Sequence, residues 1–159
     1  MPNTWFVRAG RDNKFAEDFL QHNIVAGGWV ELGEVDADIS KAELVQLYRQ
    51  VHPDRPQQSA NVVTGQIIRY LRELEVGDAV MTYNRDEQVY YLGEITSECF
   101  YTREYIDELP RIREVDWKYA TPRSDLSEDA RKSLNTRQTV SLLRPTVAAE
   151  INAKARALQ

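Results

Sequence analysis

The sequence predicts one mixed α+β domain, and three observations predict it. A length of 159 residues with 42% hydrophobic, 28% charged and 9% aromatic side chains is that of a globular chain with a single core. Short runs of β-branched and aromatic residues alternate with runs whose apolar residues recur at helical spacing. No internal repeat or low-complexity linker separates them.

Thr4 to Gly10 (TWFVRAG) reads as an opening strand closed by glycine. Asp12 or Asn13 is then the expected cap of a short helix that buries Phe15, Phe19 and Leu20 and ends near Asn23. Ile24-Val25-Ala26 makes a second strand. After it, Gly27-Gly28-Trp29 sets two residues without side chains before a large ring, so backbone can approach something closely there. Ser40-Lys41-Ala42-Glu43 is a capping box, and Leu44, Leu47, Tyr48 and Val51 follow at helical spacing until Pro53.

A polar loop is expected from His52 to Ala60, and a third helix from Asn61 to Glu73 with Val63, Ile67, Tyr70, Leu71 and Leu74 inward. Asp78 to Tyr83 and Gln88 to Ile95 form a hairpin, continued through Ser97 to Tyr101 as one long, bent strand. Ile112 to Tyr119 is a further strand, Ser127 to Leu134 a short helix, and Thr139 to Leu143 a last strand. Pro145 suits the first turn of a terminal helix with Val147, Ile151, Ala155 and Leu158 on its apolar face. The domain is therefore read as residues 1–144, with 145–159 as a cap or a linker to a missing domain. The ending Ala157-Leu158-Gln159 within that helical pattern leaves two readings open, a fragment of a longer protein and a naturally complete, stand-alone chain.

Several function classes are disfavoured. No stretch approaches the ~18 apolar residues of a membrane span, and the N-terminus has no signal-peptide pattern, so no membrane partner and a cytoplasmic location are expected. Cys99 is the single cysteine, and with only His22 and His52 beside it a zinc site of the usual ligand count is not expected. The histidines sit at a helix end and in a Pro-rich loop, and no nucleophile motif is present, so no catalytic residue, metal or cofactor is expected. Asp116-Trp117-Lys118 has the Asp-x-Lys spacing of some nucleases, but a solvated strand produces the same pattern.

The net charge is −5, unevenly placed: residues 1–102 hold 9 Lys/Arg against 16 Asp/Glu, and residues 103–159 hold 11 against 9. That argues against loose, charge-driven nucleic-acid binding and leaves room for a local basic groove in the C-terminal part.

Leu44 to Pro56, with His52-Pro53-Asp54, resembles the helix and loop by which J-domain cochaperones engage their chaperone. That family expects a basic helix face, whereas this helix offers Lys41 and Arg49 against Glu43, and a helix stopped by Pro53 accounts for the same residues.

A wider match covers residues 4–143. The order of Arg8-Ala9-Gly10 after a strand, Gly28-Trp29 after a second, then Asn61 to Leu71 and Val76 to Tyr83, resembles the EVE domains of the PUA-like superfamily. It is closest to the EVE-like N-terminal module of predicted Mrr-type restriction endonucleases. The related YTH domains share the plan, including a tail similar to Ser133 to Val140.

The resemblance implies a partly open mixed β-barrel of five or six strands flanked by helices, accepting one extruded, modified base in an aromatic pocket. The partner implied is DNA with modified bases, with a fused or associated nuclease as the effector; for a naturally complete chain the alternative is a stand-alone RNA-binding protein.

Carried over by position, Trp29 is the stacking platform or a core residue, and Tyr83 is a second wall. Asn61, Thr64 and Gln66 match the polar start of the third helix, where they read a base edge or, for Asn61, cap the helix. Arg8, Ala9 and Gly10 border the pocket. Asn84 contacts the ligand or only shapes the turn. Trp117 is a wall or core, Trp5 is core, and Arg137, with Arg131 and Lys132, is a backbone-contacting rim or a solvated run. The EVE family often has an aromatic before the third helix where this chain has Gln58-Ser59-Ala60, so a fully aromatic cage is not expected.

Overall fold

The computed structural model describes residues 3–158; Met1, Pro2 and Gln159, which entered the reading of the chain ends, lie outside the described residues. The chain opens with strand β1 (Thr4–Val7), helix α1 (Ala16–His22) and strand β2 (Ile24–Gly27). Asp12 and Asn13 do not cap α1: both have φ of 56°, and Asn13 Oδ1 instead accepts from Ala9 N at 3.0 Å. The helix starts after Phe15 and ends at Asn23, whose φ of 54° turns the chain into β2.

Helix α2 (Lys41–Val51) begins where the capping box predicts, with Ser40 Oγ accepting from Glu43 N at 3.1 Å, a cap of about 1 kcal/mol. Helix α3 (Gln57–Ile68) corrects the expected loop: Pro56 supplies the extended residue before the first turn, and Gln57 to Ala60 are already helical. Its polar beginning is polar because it faces water. α3 then widens into a π-type turn over Arg69–Glu73, which buries Tyr70 and Leu71.

Strands β3 (Ala79–Asn84) and β4 (Val89–Ile95) form the expected hairpin. The expected continuation of β4 to Tyr101 is broken. β5 (Phe100–Tyr101) is a separate piece that pairs with β6 (Arg111–Pro122). Helix α4 (Glu128–Leu134) is capped by Ser127, strand β7 (Val140–Leu142) follows, and helix α5 (Pro145–Ala153) starts on Pro145. α5 is shorter than its apolar pattern suggests. Val147 and Ile151 are buried, whereas Ala155 follows the helix and Leu158 is exposed beyond strand β8 (Arg156–Ala157), which adds to β6.

The architecture is α+β, a curled, mixed half-barrel sheet of six strands in the order β2-β6-β4-β3-β1-β7, with the two-residue strands β5 and β8 attached to β6. The pair β1/β3 is parallel and its neighbours antiparallel. β6 is the hub because its twelve residues reach β2 at one end and β4 along most of their length, across a register shift between Leu92 and Gly93.

One core cluster, built on Phe19, Val25, Tyr70 and Ile112, lies between sheet, α1 and α3. A second joins Phe6, Met81 and Leu92 to α4 and α5, and a third holds α2 on α3 through Leu44, Tyr48 and Ile67. Asp78 ties the sheet's start together by accepting from Trp5 Nε1 at 2.9 Å, Asn3 N at 3.2 Å and Glu75 N at 3.0 Å. Among the described residues no helix is long and apolar enough to cross a membrane.

Candidate functional site

Two loops meet beside the ends of β1 and β2. After Val7 the chain turns sharply: Gly10 has φ of +74°, and a Cβ there would lie 2.6 Å from the Phe15 ring, so the turn needs glycine. At the last residue of β2, Gly27 leaves space where a Cβ would stand 3.0 Å from Trp29 Cζ3. Trp29 itself has φ of 56°, a left-handed conformation costly for a bulky residue.

Its carbonyl is held there by Leu32 N at 3.0 Å and by Arg111 Nη2 at 3.0 Å; the same Arg111 nitrogen donates to Gly33 O at 2.6 Å. The half-buried Trp29 ring meets Tyr70 edge-on, 6.2 Å between centroids, and Tyr70 in turn donates from its hydroxyl to backbone oxygens of Val25 and Arg111.

The result is a hollow of about 160 Å³ walled by Arg8, Gly10, Arg11, Gly28, Trp29 and Thr139. It is smaller than the roughly 300–1,000 Å³ of drug-sized sites. Ala26 and Leu109 complete the lining, so an indole, glycine backbone, two arginines and apolar side chains border a space that suits one small planar group. Arg8 is oriented by its own donations, Nε to Gly10 O at 3.0 Å and Nη1 to Arg137 O at 2.6 Å. The second of these joins the hollow to the segment before β7.

Of the residues singled out in the sequence, Arg8, Gly10 and Trp29 therefore come together. Ala9, between Arg8 and Gly10, is wholly buried and does not line the hollow: its N–H donates to Asn13 Oδ1 and its carbonyl accepts from Phe15 N. Gln66 is near by connection: its Oε1 accepts from Thr139 N at 2.8 Å, anchoring one wall. Thr64 is buried and donates its hydroxyl back to Ala60 O at 2.7 Å within α3, so it presents no polar group to a ligand.

Asn61 is exposed in the second turn of α3, accepting from Gln57 Nε2, and is neither cap nor wall. Trp117 packs on the first core cluster and donates from Nε1 to Phe19 O at 3.1 Å, which resolves it as structural. Asn84 is buried and accepts from Glu87 N at 3.1 Å, closing the β3/β4 turn.

Tyr83 does not face Trp29. It lines a separate and larger hollow of about 600 Å³, together with Tyr90, Arg85, Arg123 and Arg137. Successive parts of one loop line the two hollows, Arg8, Gly10 and Arg11 the first and Asp12 and Asn13 the second. Arg131 and Lys132 lie on α4, where Lys132 pairs with Glu128 at 3.5 Å on the surface.

Two residues that position the site were not recognised from the sequence. Arg111 and Arg113 are both buried on β6 and are held by carbonyls, Arg113 through Nε to Ser97 O at 2.9 Å and Nη1 to Tyr70 O at 3.0 Å. Burial pulls the Arg111 guanidinium down from its ordinary value. The available signal was the Arg-x-Arg spacing at the strand start, which puts both side chains on one face, the face that Val115 and Trp117 continue.

Cys99 lies near them, and burial pushes its thiol up to about 11, against the opposing pull of Arg113 and Arg111. Among the described residues no group of three His, Cys, Asp or Glu side chains could hold a metal. Asp116 and Lys118 do not converge on one, since Lys118 pairs with Glu94 at 3.2 Å.

A family model described as a domain of unknown function (DUF8426) matches residues 5–144, from within β1 to just past β7. No curated protein matches the chain.

Proposed function

We propose that this chain, which belongs to the DUF8426 family, recognises a modified base in DNA by taking it out of the stack into the Trp29 hollow. It does so as a PUA-like, EVE-like module with no chemistry of its own. It works in the cytoplasm, and its role is specificity for a restriction or defence nuclease that is fused to it or associates with it.

The observation that carries this reading is the convergence of Arg8, Gly10 and Trp29, from separate loops, on one small hollow. The left-handed Trp29, fixed through Arg111, is the kind of strained, over-determined residue that clusters at ligand sites.

Extruding a base costs a few kcal/mol. Stacking on one aromatic ring returns about 1–3 kcal/mol, so hydrogen bonds to the base edge and backbone contacts must supply the rest. A methyl group adds only about 1–3 kcal/mol of preference, which sets the size of discrimination to expect.

The test is a titration at fixed salt of matched duplexes carrying cytosine, 5-methylcytosine, 5-hydroxymethylcytosine, adenine or 6-methyladenine, with wild type, Trp29→Ala and Trp29→Phe. The reading expects at least a tenfold preference for one modified duplex, lost in Trp29→Ala and partly kept in Trp29→Phe. Equal affinity for every duplex overturns it.

A further inference from the structure

The larger hollow has a composition of its own. Tyr83 is half-buried, with Tyr90 4.5 Å away between centroids at 34° and the Arg123 guanidinium 5.8 Å from its ring centre. Arg123 Nη1 donates to Tyr90 Oη at 2.5 Å, which fixes that guanidinium at the wall of the hollow. Arg137 and Arg85 also line it, so three arginines border the hollow against one acidic residue, Asp12.

Arg85 is paired with Asp12 at 3.5 Å, but both are well exposed and such a pair is weak. Among the described residues neither Arg123 nor Arg137 takes part in an ion pair. In a chain of net charge −5, two unneutralised guanidinium groups beside a partly exposed aromatic ring form a local exception to the overall charge. Guanidinium groups match phosphate oxygens in geometry as well as charge, and the open part of a half-buried tyrosine ring can stack a base of any sequence.

We propose that this hollow binds a nucleotide unit of a nucleic-acid strand, its base against Tyr83 and its phosphate among Arg85, Arg123 and Arg137. The volume of about 600 Å³ exceeds what a lone phosphate fills. The two hollows have no lining residue in common, and one hydrogen bond, from Arg8 Nη1 at the first to Arg137 O at the second, ties their walls together. This site stands on side chains other than Trp29 and does not require that Trp29 receive a base.

The experiment is fluorescence-anisotropy titration of a labelled, unmodified (dT)8 strand at several salt concentrations, with dTMP and inorganic phosphate as competitors. The proteins are wild type, Tyr83→Ala, Tyr83→Phe, Arg137→Gln, Trp29→Ala and the double variant of Tyr83→Ala with Trp29→Ala. Tyr83→Ala should weaken binding about tenfold, and Tyr83→Phe, which keeps the ring, should stay within twofold of wild type. Arg137 is exposed, so its replacement leaves folding intact; Arg137→Gln should lower affinity severalfold and reduce the salt slope by about 0.7 for one lost phosphate contact.

Competition by dTMP but not by phosphate assigns the site to a whole nucleotide, and competition as strong by phosphate alone overturns that assignment. Unchanged affinity in both Tyr83→Ala and Arg137→Gln, or no binding by wild type at low salt, also overturns the proposal. Tyr83→Ala should weaken (dT)8 binding by a similar factor whether or not Trp29 is also replaced by alanine, so the two hollows can fail separately: loss of modified-base preference touches only the first, and loss of Tyr83 dependence only the second.

Discussion

Adding one methyl group at two glycines should change stability in opposite directions. At Gly93 a Cβ would stand 2.5 Å from Asp116 O, 2.7 Å from Val115 Cγ1 and 3.0 Å from Trp117 Cα. Two of those atoms are backbone and cannot swing aside, so β4 and β6 must separate at their register shift. Overpacking of this kind costs about 1–3 kcal/mol and exceeds the roughly 0.4–1 kcal/mol that alanine gains by restricting the unfolded chain.

At Gly65, inside α3, nothing lies within 4 Å of the added carbon. There the helix propensity and chain-entropy terms act alone, and Gly65→Ala should stabilise by about 0.5–1 kcal/mol. Urea unfolding followed by circular dichroism measures both. Gly93→Ala should fall by about 1–3 kcal/mol, a loss of roughly 3–10 °C in Tm for a chain this long. A tolerated Gly93→Ala together with a destabilising Gly65→Ala would refute the packing described here.

Other outcomes follow from the same contacts. Asp78→Ala strands three donors, Trp5 Nε1 among them, and should cost about 2–5 kcal/mol in urea unfolding; a loss below about 1 kcal/mol contradicts its role as the anchor of the sheet's start.

Burial first of all holds Tyr70 and Tyr90 above the ordinary tyrosine value, and takes Tyr91 to about 12 and Cys99 to about 11. The unfolded chain ionises these groups at lower pH, so their contribution is complete below about pH 8.5 and is lost as pH rises toward 11–12. The urea midpoint should fall across that window, and a flat or rising midpoint refutes the assignment. At pH 8 the Cys99 thiolate is scarce, and after the greater nucleophilicity of a more basic thiolate is allowed for, iodoacetamide should alkylate it roughly tenfold more slowly than a free cysteine; labelling at the free rate would contradict its half-buried setting.

Elements with local signals were legible in the sequence: Ser40 as a cap, Pro145 at a first turn, Asn23 as a stop, and the β3/β4 hairpin. Elements set by distant contacts were not. The start of α3 was missed because Gln57 to Ser59 face solvent and carry no apolar period. The break after β4 was missed because β5 exists only through its pairing with β6. Asp12 and Asn13, good caps by type, are drawn to positive φ by the turn at Gly10.

For the site, the glycines around Trp29 marked a close approach that the structure contains. The arginine that holds Trp29 in place comes from 82 positions away, and no local pattern reveals such a partner. Tyr83 was misplaced for a related reason: being next to a strand end does not say which side of the half-barrel its ring meets.

The central claim is that a base leaves the stack and enters the Trp29 hollow. The most direct measurement is the fluorescence of 2-aminopurine placed beside the modified base of the best-bound duplex, read during titration with wild type and Trp29→Ala. Eversion removes the stacking neighbour, so the emission should rise severalfold at saturation with wild type and by much less with Trp29→Ala at equal occupancy. Saturated binding with unchanged emission would mean that the base stays in the helix, and the account of this site would be wrong.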